Sequence, residues 1–216
     1  MNIVIFGPPG AGKGTQGDNI AEEFNFFKIS TGDLLRNEIN TATDLGKKIK
    51  TLIDKGKFVD DYTINTLIEK SLSQKKKYKG LIFDGYPRNI TQTKIFDGVL
   101  KKYDQGISCV LSLNVDKDSA IKRILGRQTC TECGLTFNKF SNTPKKEKHN
   151  CDPKYLETRT DDKEDVVKNR FMTYEKETLP VLDYYKNQKI LYEIDGMSEI
   201  ASIYKEIRAI IQSLDT

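Results

Sequence analysis

Met1-Asn2-Ile3-Val4-Ile5-Phe6 runs straight into Gly7-Pro8-Pro9-Gly10-Ala11-Gly12-Lys13-Gly14-Thr15-Gln16, and the architecture follows from this junction. A short apolar strand meets a glycine-rich turn that carries the spacing G-x-x-x-x-G-K. Glycines let backbone N–H groups curl around an anion, the lysine adds a point charge, and the helix that follows presents its positive end. Strand before and helix after is the context that separates a phosphate-binding loop from a chance glycine-rich turn. In most such loops Ser or Thr follows the lysine directly; here Gly14 intervenes and Thr15 comes next.

Working outward, further short apolar runs at Phe27 to Ser30, Leu81 to Phe83, Ile107 to Val115 and Ile190 to Ile194 join Ile3 to Phe6 as strand candidates. Helical spacing fills the intervals at Thr15 to Phe24, Thr63 to Leu72, Asn89 to Tyr103 and Ile200 to Leu214. This alternation predicts an α/β fold, a five-stranded parallel sheet covered by helices on both faces. Two stretches break the rhythm. Residues 31–59 are helix-like with no strand between them, and residues 127–162 are rich in Cys, Lys and Asn, with a turn at Asn142-Thr143-Pro144. Both are expected to be insertions projecting from a core made of residues 1–29, 60–126 and 163–216.

A length of 216 residues suits one domain with insertions and needs no disulfides to build a core. No apolar run approaches the ~20 residues of a membrane span, and the first residues lack a basic, cleavable leader, so the expected compartment is the cytoplasm. The net charge of +4 suits phosphate ligands without marking a nucleic-acid binder. Positive charge is written mostly as lysine, as at Lys75-Lys76-Lys77. Only seven arginines occur: Arg36, Arg88, Arg123, Arg127, Arg159, Arg170 and Arg208. Scarce arginines point to places needing a planar, bidentate fork; codon bias is the alternative.

Of the four cysteines, Cys109 sits in an apolar run and is expected in the core, while Cys130, Cys133 and Cys151 share one segment. Cys130-Thr131-Glu132-Cys133 places two thiolates to reach one zinc ion from a tight turn.

Five ordered motifs between residues 7 and 170 resemble those of adenylate kinases with a long lid, of the bacterial type. They are the loop with its Gly14-Thr15 variant, Thr31-Gly32-Asp33-Leu34-Leu35-Arg36, Phe83-Asp84-Gly85-Tyr86-Pro87-Arg88-Asn89, Arg123-Ile124-Leu125-Gly126-Arg127, and Arg159-Thr160-Asp161-Asp162 with Arg170. Six of the seven arginines fall inside them. The resemblance implies the P-loop nucleoside monophosphate kinase fold, with residues 30–59 as an AMP-binding insertion and 127–162 as a lid. It implies magnesium-dependent, reversible transfer from ATP to AMP, giving two ADP. Such transfer needs in-line positioning and charge neutralisation rather than a covalent catalytic group.

Carried over by resemblance, Gly10, Ala11, Gly12, Lys13, Gly14 and Thr15 would hold the donor phosphates. Arg123, Arg127, Thr136, Phe137 and Ser198 would complete the ATP site. Thr31, Arg36, Lys57, Phe58, Val59, Gly85, Arg88 and Gln92 would form the AMP site, closed by Arg159 and Arg170. Lys13, Arg88, Arg123, Arg159 and Arg170 would be catalytic, and Asp84 would orient Mg²⁺ through water. Thr31 and Gln92 favour AMP over other acceptors, although Gln92 alone could equally be a surface residue. Lids of this family place Cys-x-x-Cys or Cys-x-x-Asp after the knuckle. Here Cys151 fits the third position, but Lys154 stands at the fourth, leaving His149 or Asp152 to complete a structural zinc site; some lids of the family hold no zinc. Mobile points are expected at Gly56, Gly126 and Pro144.

The nearest rival is a kinase for UMP, CMP or GMP on the same scaffold. A zinc-knuckle module binding RNA would leave the loop and the arginines unexplained, and a GTPase switch would want base-reading motifs that are missing. The expected partners are ATP, AMP and ADP, with no nucleic acid and no membrane, acting on a monomer.

Overall fold

The first strand, β1 (Asn2–Phe6), is buried at every position, which is what a central parallel strand covered on both faces requires. The computed structural model describes residues 1–41, 43–72, 78–141, 143–144 and 149–214. The lysine run Lys75-Lys76-Lys77 and the turn residue Asn142 lie outside them. Around β1 stand β2 (Phe26–Ser30), β3 (Gly80–Asp84), β4 (Cys109–Asn114) and β8 (Leu191–Asp195), all parallel, in the order β2-β3-β1-β4-β8. All five strands fall where the apolar runs place them.

Alternation along the strands sorts the core into two layers. Val4 and Phe6 of β1 join Phe83, Val110 and Tyr185 on one face, while Ile3 and Ile5 join Ile82, Cys109 and Leu111 on the other. The first face is covered by α4 (Asp61–Leu72), α5 (Ile90–Lys102) and α8 (Leu179–Asn187). The second is covered by α1 (Lys13–Phe24) and α9 (Ile200–Leu214). A smaller cluster, Ala120 and Ile124 against Val167 and Phe171, packs α6 (Lys117–Leu125) on α7 (Glu164–Thr173). A single wider turn at Tyr174–Thr178 joins α7 to α8.

The two stretches that break the alternation do so differently. Residues 31–59 hold α2 (Thr31–Asn40) and α3 (Asp44–Ile53), capped by the hydroxyls of Ser30 and Thr43. Beyond Gly126 the chain forms a second sheet, in which β5 (Arg127–Cys130) pairs antiparallel with β6 (Thr136–Asn138) and with β7 (Leu156–Glu157). β1 lies between β3 and β4, where the crossovers change direction, so a crevice opens at the carboxyl ends of these strands.

Candidate active site at the carboxyl ends of the strands

The glycine-rich loop leaves β1 at this crevice. Gly10 has φ +83°, and a Cβ there would run into the Ala120 carbonyl, so only glycine lets the loop pass α6. Gly12 caps α1 without a side-chain bond, and the first turn of the helix contains no acid. The positive end of its dipole therefore stays open to an anion. Lys13 folds back, donating to the carbonyls of Gly7 (2.7 Å) and Pro8 (3.0 Å). Desolvation lowers its pKa to about 8; Asp84 opposes this, and Arg170, Arg88 and Arg127 reinforce it. Asp84 ends β3, with its own pKa raised by burial against the pull of Lys13.

Arg88 follows on the next turn. The Tyr86-Pro87 bond is cis, and Gly85 is left-handed at φ +75°. Arg88 donates from Nε to the Gly85 carbonyl (2.7 Å) and from Nη2 to the Thr31 hydroxyl (3.2 Å), and lies 5.1 Å from the centroid of the Phe58 ring. The Thr31 hydroxyl in turn donates to the Gly85 carbonyl at 2.9 Å. Desolvation, and then neighbouring Arg170, lower the Arg88 pKa to about 10. The Thr178 hydroxyl donates to the Arg88 carbonyl at 2.9 Å, a brace that no sequence pattern announces.

Gln92 is no surface residue: it is 2% exposed, within the first turn of α5. Its Oε1 accepts from the Arg88 N–H (2.7 Å), and its Nε2 donates to Asp61 Oδ1 (2.7 Å). Val59 is buried beside this corner, Phe58 is half-buried and Lys57 exposed. Arg36 is paired with Asp33 at 2.6 Å.

At the root of the small sheet two arginines have carboxylate partners. Arg127 grips Asp162 through two nitrogens, Nε at 2.8 Å, and Arg170 pairs with Asp161 at 2.8 Å. Burial opposes the charge on Arg127, but the bonds to Asp162 outweigh it and raise its pKa. Arg159 donates to the Thr129 hydroxyl (3.1 Å), and desolvation lowers its pKa to about 10. Arg123 donates to the Gly196 carbonyl at 2.8 Å. Ser198, two residues further on, bonds Asp195. Thr136 is exposed, while the Phe137 ring turns inward against His149, centroids 4.9 Å apart. Gly126 lies beneath the Phe140 ring, and Asn138 donates to the Arg123 carbonyl, so the base of the sheet is tied to α6.

Cys130, Cys133, His149 and Cys151 bring one ligand atom each to within 4.8 Å of one another. His149 Nε2 is buried without a hydrogen-bond partner, and three thiols with one imidazole form a donor set used for structural zinc. The residues therefore fit the ion, with His149 rather than Asp152 in fourth place; Asp152 instead caps the short turn Pro153–Tyr155. Without metal, hydrogen bonds from Cys133 and His149 overcome burial and lower Cys130 to about 6, while burial and the two neighbouring thiols push Cys151 to about 11.

A P-loop at a parallel-sheet switch point, faced by arginines and with no nucleophile–base pair among the described residues, defines a phosphoryl transferase of the nucleoside monophosphate kinase class. A family model described as adenylate kinase matches residues 5–190. Adenylate kinases of Pelagibacter ubique (44% identical, 98% of this chain and 100% of the relative) and Archaeoglobus fulgidus (39%, 99% of each) align over nearly the whole length. That of Methanocella arvoryzae is 41% identical over 99% of this chain and all of its own. The chain belongs to the adenylate kinase family, enzymes that move a phosphoryl group from ATP to AMP and use Mg²⁺ with ATP.

Proposed function

We propose that donor and acceptor nucleotides meet between Lys13 and Arg88, and that residues 30–59 and 127–162 close over them as the AMP-binding insertion and the lid. The observation that carries this reading is geometric. Lys13 is folded onto the glycine-rich loop by the Gly7 and Pro8 carbonyls. Arg88 is held at the neighbouring strand end by the Gly85 carbonyl and the Thr31 hydroxyl, with no carboxylate partner among the described residues. Burial first, and Arg170, Arg88 and Arg127 after it, disfavour the charge on Lys13. Cations assembled against their own repulsion suit a ligand carrying several negative charges.

In the transfer, an oxygen of the AMP phosphate attacks the γ-phosphorus of ATP. The bond from that phosphorus to the β,γ-bridging oxygen breaks, and two ADP result; no protein atom is alkylated, oxidised or reduced. The loop amides from Gly10 to Thr15 and Lys13 hold the donor β- and γ-phosphates. Arg36 and Arg88 grip the acceptor phosphate, and Thr31, Gly85 and Gln92, with the Lys57-Phe58-Val59 strip, line its nucleoside. Arg123 and Arg127 face the donor, and Thr136, Phe137 and Ser198 complete the ATP site. Arg159 and Arg170 neutralise charge spreading over the transferring group. Closure excludes water, which would otherwise accept the phosphoryl group. Asp84 would hold Mg²⁺ through water, and the ion would supply charge neutralisation for the phosphates.

Zinc on Cys130, Cys133, His149 and Cys151 is structural in this reading. Elemental analysis should find it in stoichiometric amount in the purified chain and missing from Cys133→Ser. The reading is of a monomer acting on free nucleotides in the cytoplasm; separately, no helix among the described residues is long and apolar enough to cross a membrane.

Turnover with Mg-ATP and AMP, CMP, UMP or GMP offered separately tests the acceptor assignment. Strong preference for AMP is expected; preference for another acceptor would overturn the reading of Thr31 and Gln92.

A further inference from the structure

We propose that Asp61 is a positioning residue for acceptor choice, locking the Gln92 amide in the one orientation that reads an amino-bearing base edge. The proposal rests on the reading of Gln92 as the acceptor-base contact.

The two ends of the Gln92 side chain are assigned by chemistry. A backbone N–H can only donate, so the atom 2.7 Å from the Arg88 nitrogen must be the amide oxygen. An ionised carboxylate can only accept, so the atom 2.7 Å from Asp61 must be the amide nitrogen. A flipped amide would set N–H against N–H and oxygen against carboxylate, at a side chain only 2% exposed where such mismatches are costly. Asn89 caps α5, and a glutamine three residues on often reaches back to the cap; this familiar pattern explains the bond to the Arg88 region. It does not explain the bond to Asp61, which comes from the first turn of α4, 31 positions away.

An amide offers two N–H donors and two oxygen lone pairs. Arg88 and Asp61 take one of each, leaving one donor and one acceptor. That remaining pair, in fixed order, complements an edge with an amino donor beside a ring-nitrogen acceptor, as in adenine and cytosine. Guanine and uracil present the reverse, an oxo acceptor beside a ring N–H, and would need the flipped amide. Asp61 therefore acts against the wrong base through Gln92, without touching nucleotide itself. Arg88 belongs to the same chain of bonds, so base reading and phosphate grip are set by a single corner of the fold.

The test measures kcat and KM for AMP, GMP, CMP and UMP in wild type, Asp61→Asn, Gln92→Ala and the double variant, with Asp61→Ser as a second replacement should the first fold poorly. Asparagine keeps the shape of Asp61 but can donate to a flipped Gln92. In Asp61→Asn the AMP/GMP and CMP/UMP ratios of kcat/KM should both fall about tenfold, through KM for the acceptor, with KM for ATP and the melting temperature unmoved. In the Gln92→Ala background Asp61→Asn should change neither ratio further. Ratios that stay at wild-type values in Asp61→Asn, while Gln92→Ala still raises KM for AMP, would show that Asp61 merely braces α4 and sink the proposal. A Gln92→Ala variant with unaltered acceptor KM would instead remove the base-reading role of Gln92 itself.

Discussion

Arg88 follows the end of β3 and Arg127 opens the small sheet, and both are half-buried. Arg127 is met by the carboxylate of Asp162, which is fully buried, and its charge is favoured. Arg88 is met only by a carbonyl, a hydroxyl and the face of Phe58, and its charge is disfavoured. Arg88 thus holds its charge in reserve for a ligand, as does Arg159 at the root of the small sheet, whereas Arg127 and Arg170 are already paired with neighbouring aspartates. A guanidinium without a carboxylate is poised to bind; one with a buried carboxylate also holds structure together. Arg127 and Arg170 do the second job, and the part in transfer proposed for them would require phosphate to compete with Asp161 and Asp162.

The comparison breaks most visibly at Arg88. Arg88→Ala should lower turnover by about a thousandfold, the loss typical when one preorganised donor to developing charge is removed. Its melting temperature and its binding of ATP, measured by calorimetry, should stay near wild type, because no carboxylate is orphaned. If the stability of this variant collapsed instead, Arg88 would belong with Arg127 among the structural arginines.

On the other side, Asp162→Asn should act first on stability. It leaves Arg127 buried with a neutral partner and removes the second carboxylate near Arg170, 3.6 Å away. Breaking such a pair should cost about 3 kcal/mol in denaturant unfolding. A variant as stable as wild type but slow in turnover would reverse the roles assigned to the two sides.

Asp161 sharpens the same contrast through pH. Burial works against its charge, but Arg170 and then Arg127 outweigh burial and hold its carboxyl below the ordinary value of 3.8. A depressed folded pKa stabilises the chain fully above the unfolded value, and that share is lost as pH falls through the folded one. Asp161→Asn should therefore lose about 2 kcal/mol at pH 7, and its deficit against wild type should shrink below about pH 4. A deficit independent of pH in urea titrations would mean that the ion pair contributes nothing through charge.

How much of this could be seen beforehand differs between the same two regions. The inner strands β1, β3 and β4 are covered on both faces and read as nearly continuous apolar runs, while the edge strands β2 and β8 carry Lys28 and Glu193 inside theirs; each was still legible to within a residue or two. The phosphate loop was equally plain, because its backbone shape demands glycines at set intervals. The strands of the small sheet hold only two to four residues each, with polar members such as Arg127, Gln128 and Thr129. No periodicity marks strands that short; what announced this region was the Cys130–Cys133 knuckle. The helical passage from α7 to α8 was hidden by Pro180, which the first turn of α8 accepts because an N–H there would lack a partner anyway. Partner choice was least visible. The sequence lays Asp161 and Asp162 beside Arg159, yet they pair with Arg170 and Arg127, and nothing local ties Gln92 to Asp61.

The smallest effect concerns whether any unmet buried polar group marks function, or only an unmet charge beside a ligand path. Tyr185 is fully buried against Phe6 and Tyr184, and its hydroxyl has no partner among the described residues. Burial, reinforced by Asp97, raises its pKa far out of the working range, so it stays neutral. Tyr185→Phe removes the unmet hydroxyl and keeps the ring, so the desolvation cost disappears while the packing stays. Stability should change by less than about 1 kcal/mol, in the favourable direction, and turnover with AMP should be unaltered. Destabilisation beyond that would reveal an internal water bonded to the hydroxyl. Loss of turnover would extend the functional region from the strand ends into the core beneath Phe6, and unmet polarity of any kind, rather than unmet charge, would then be the mark of the site.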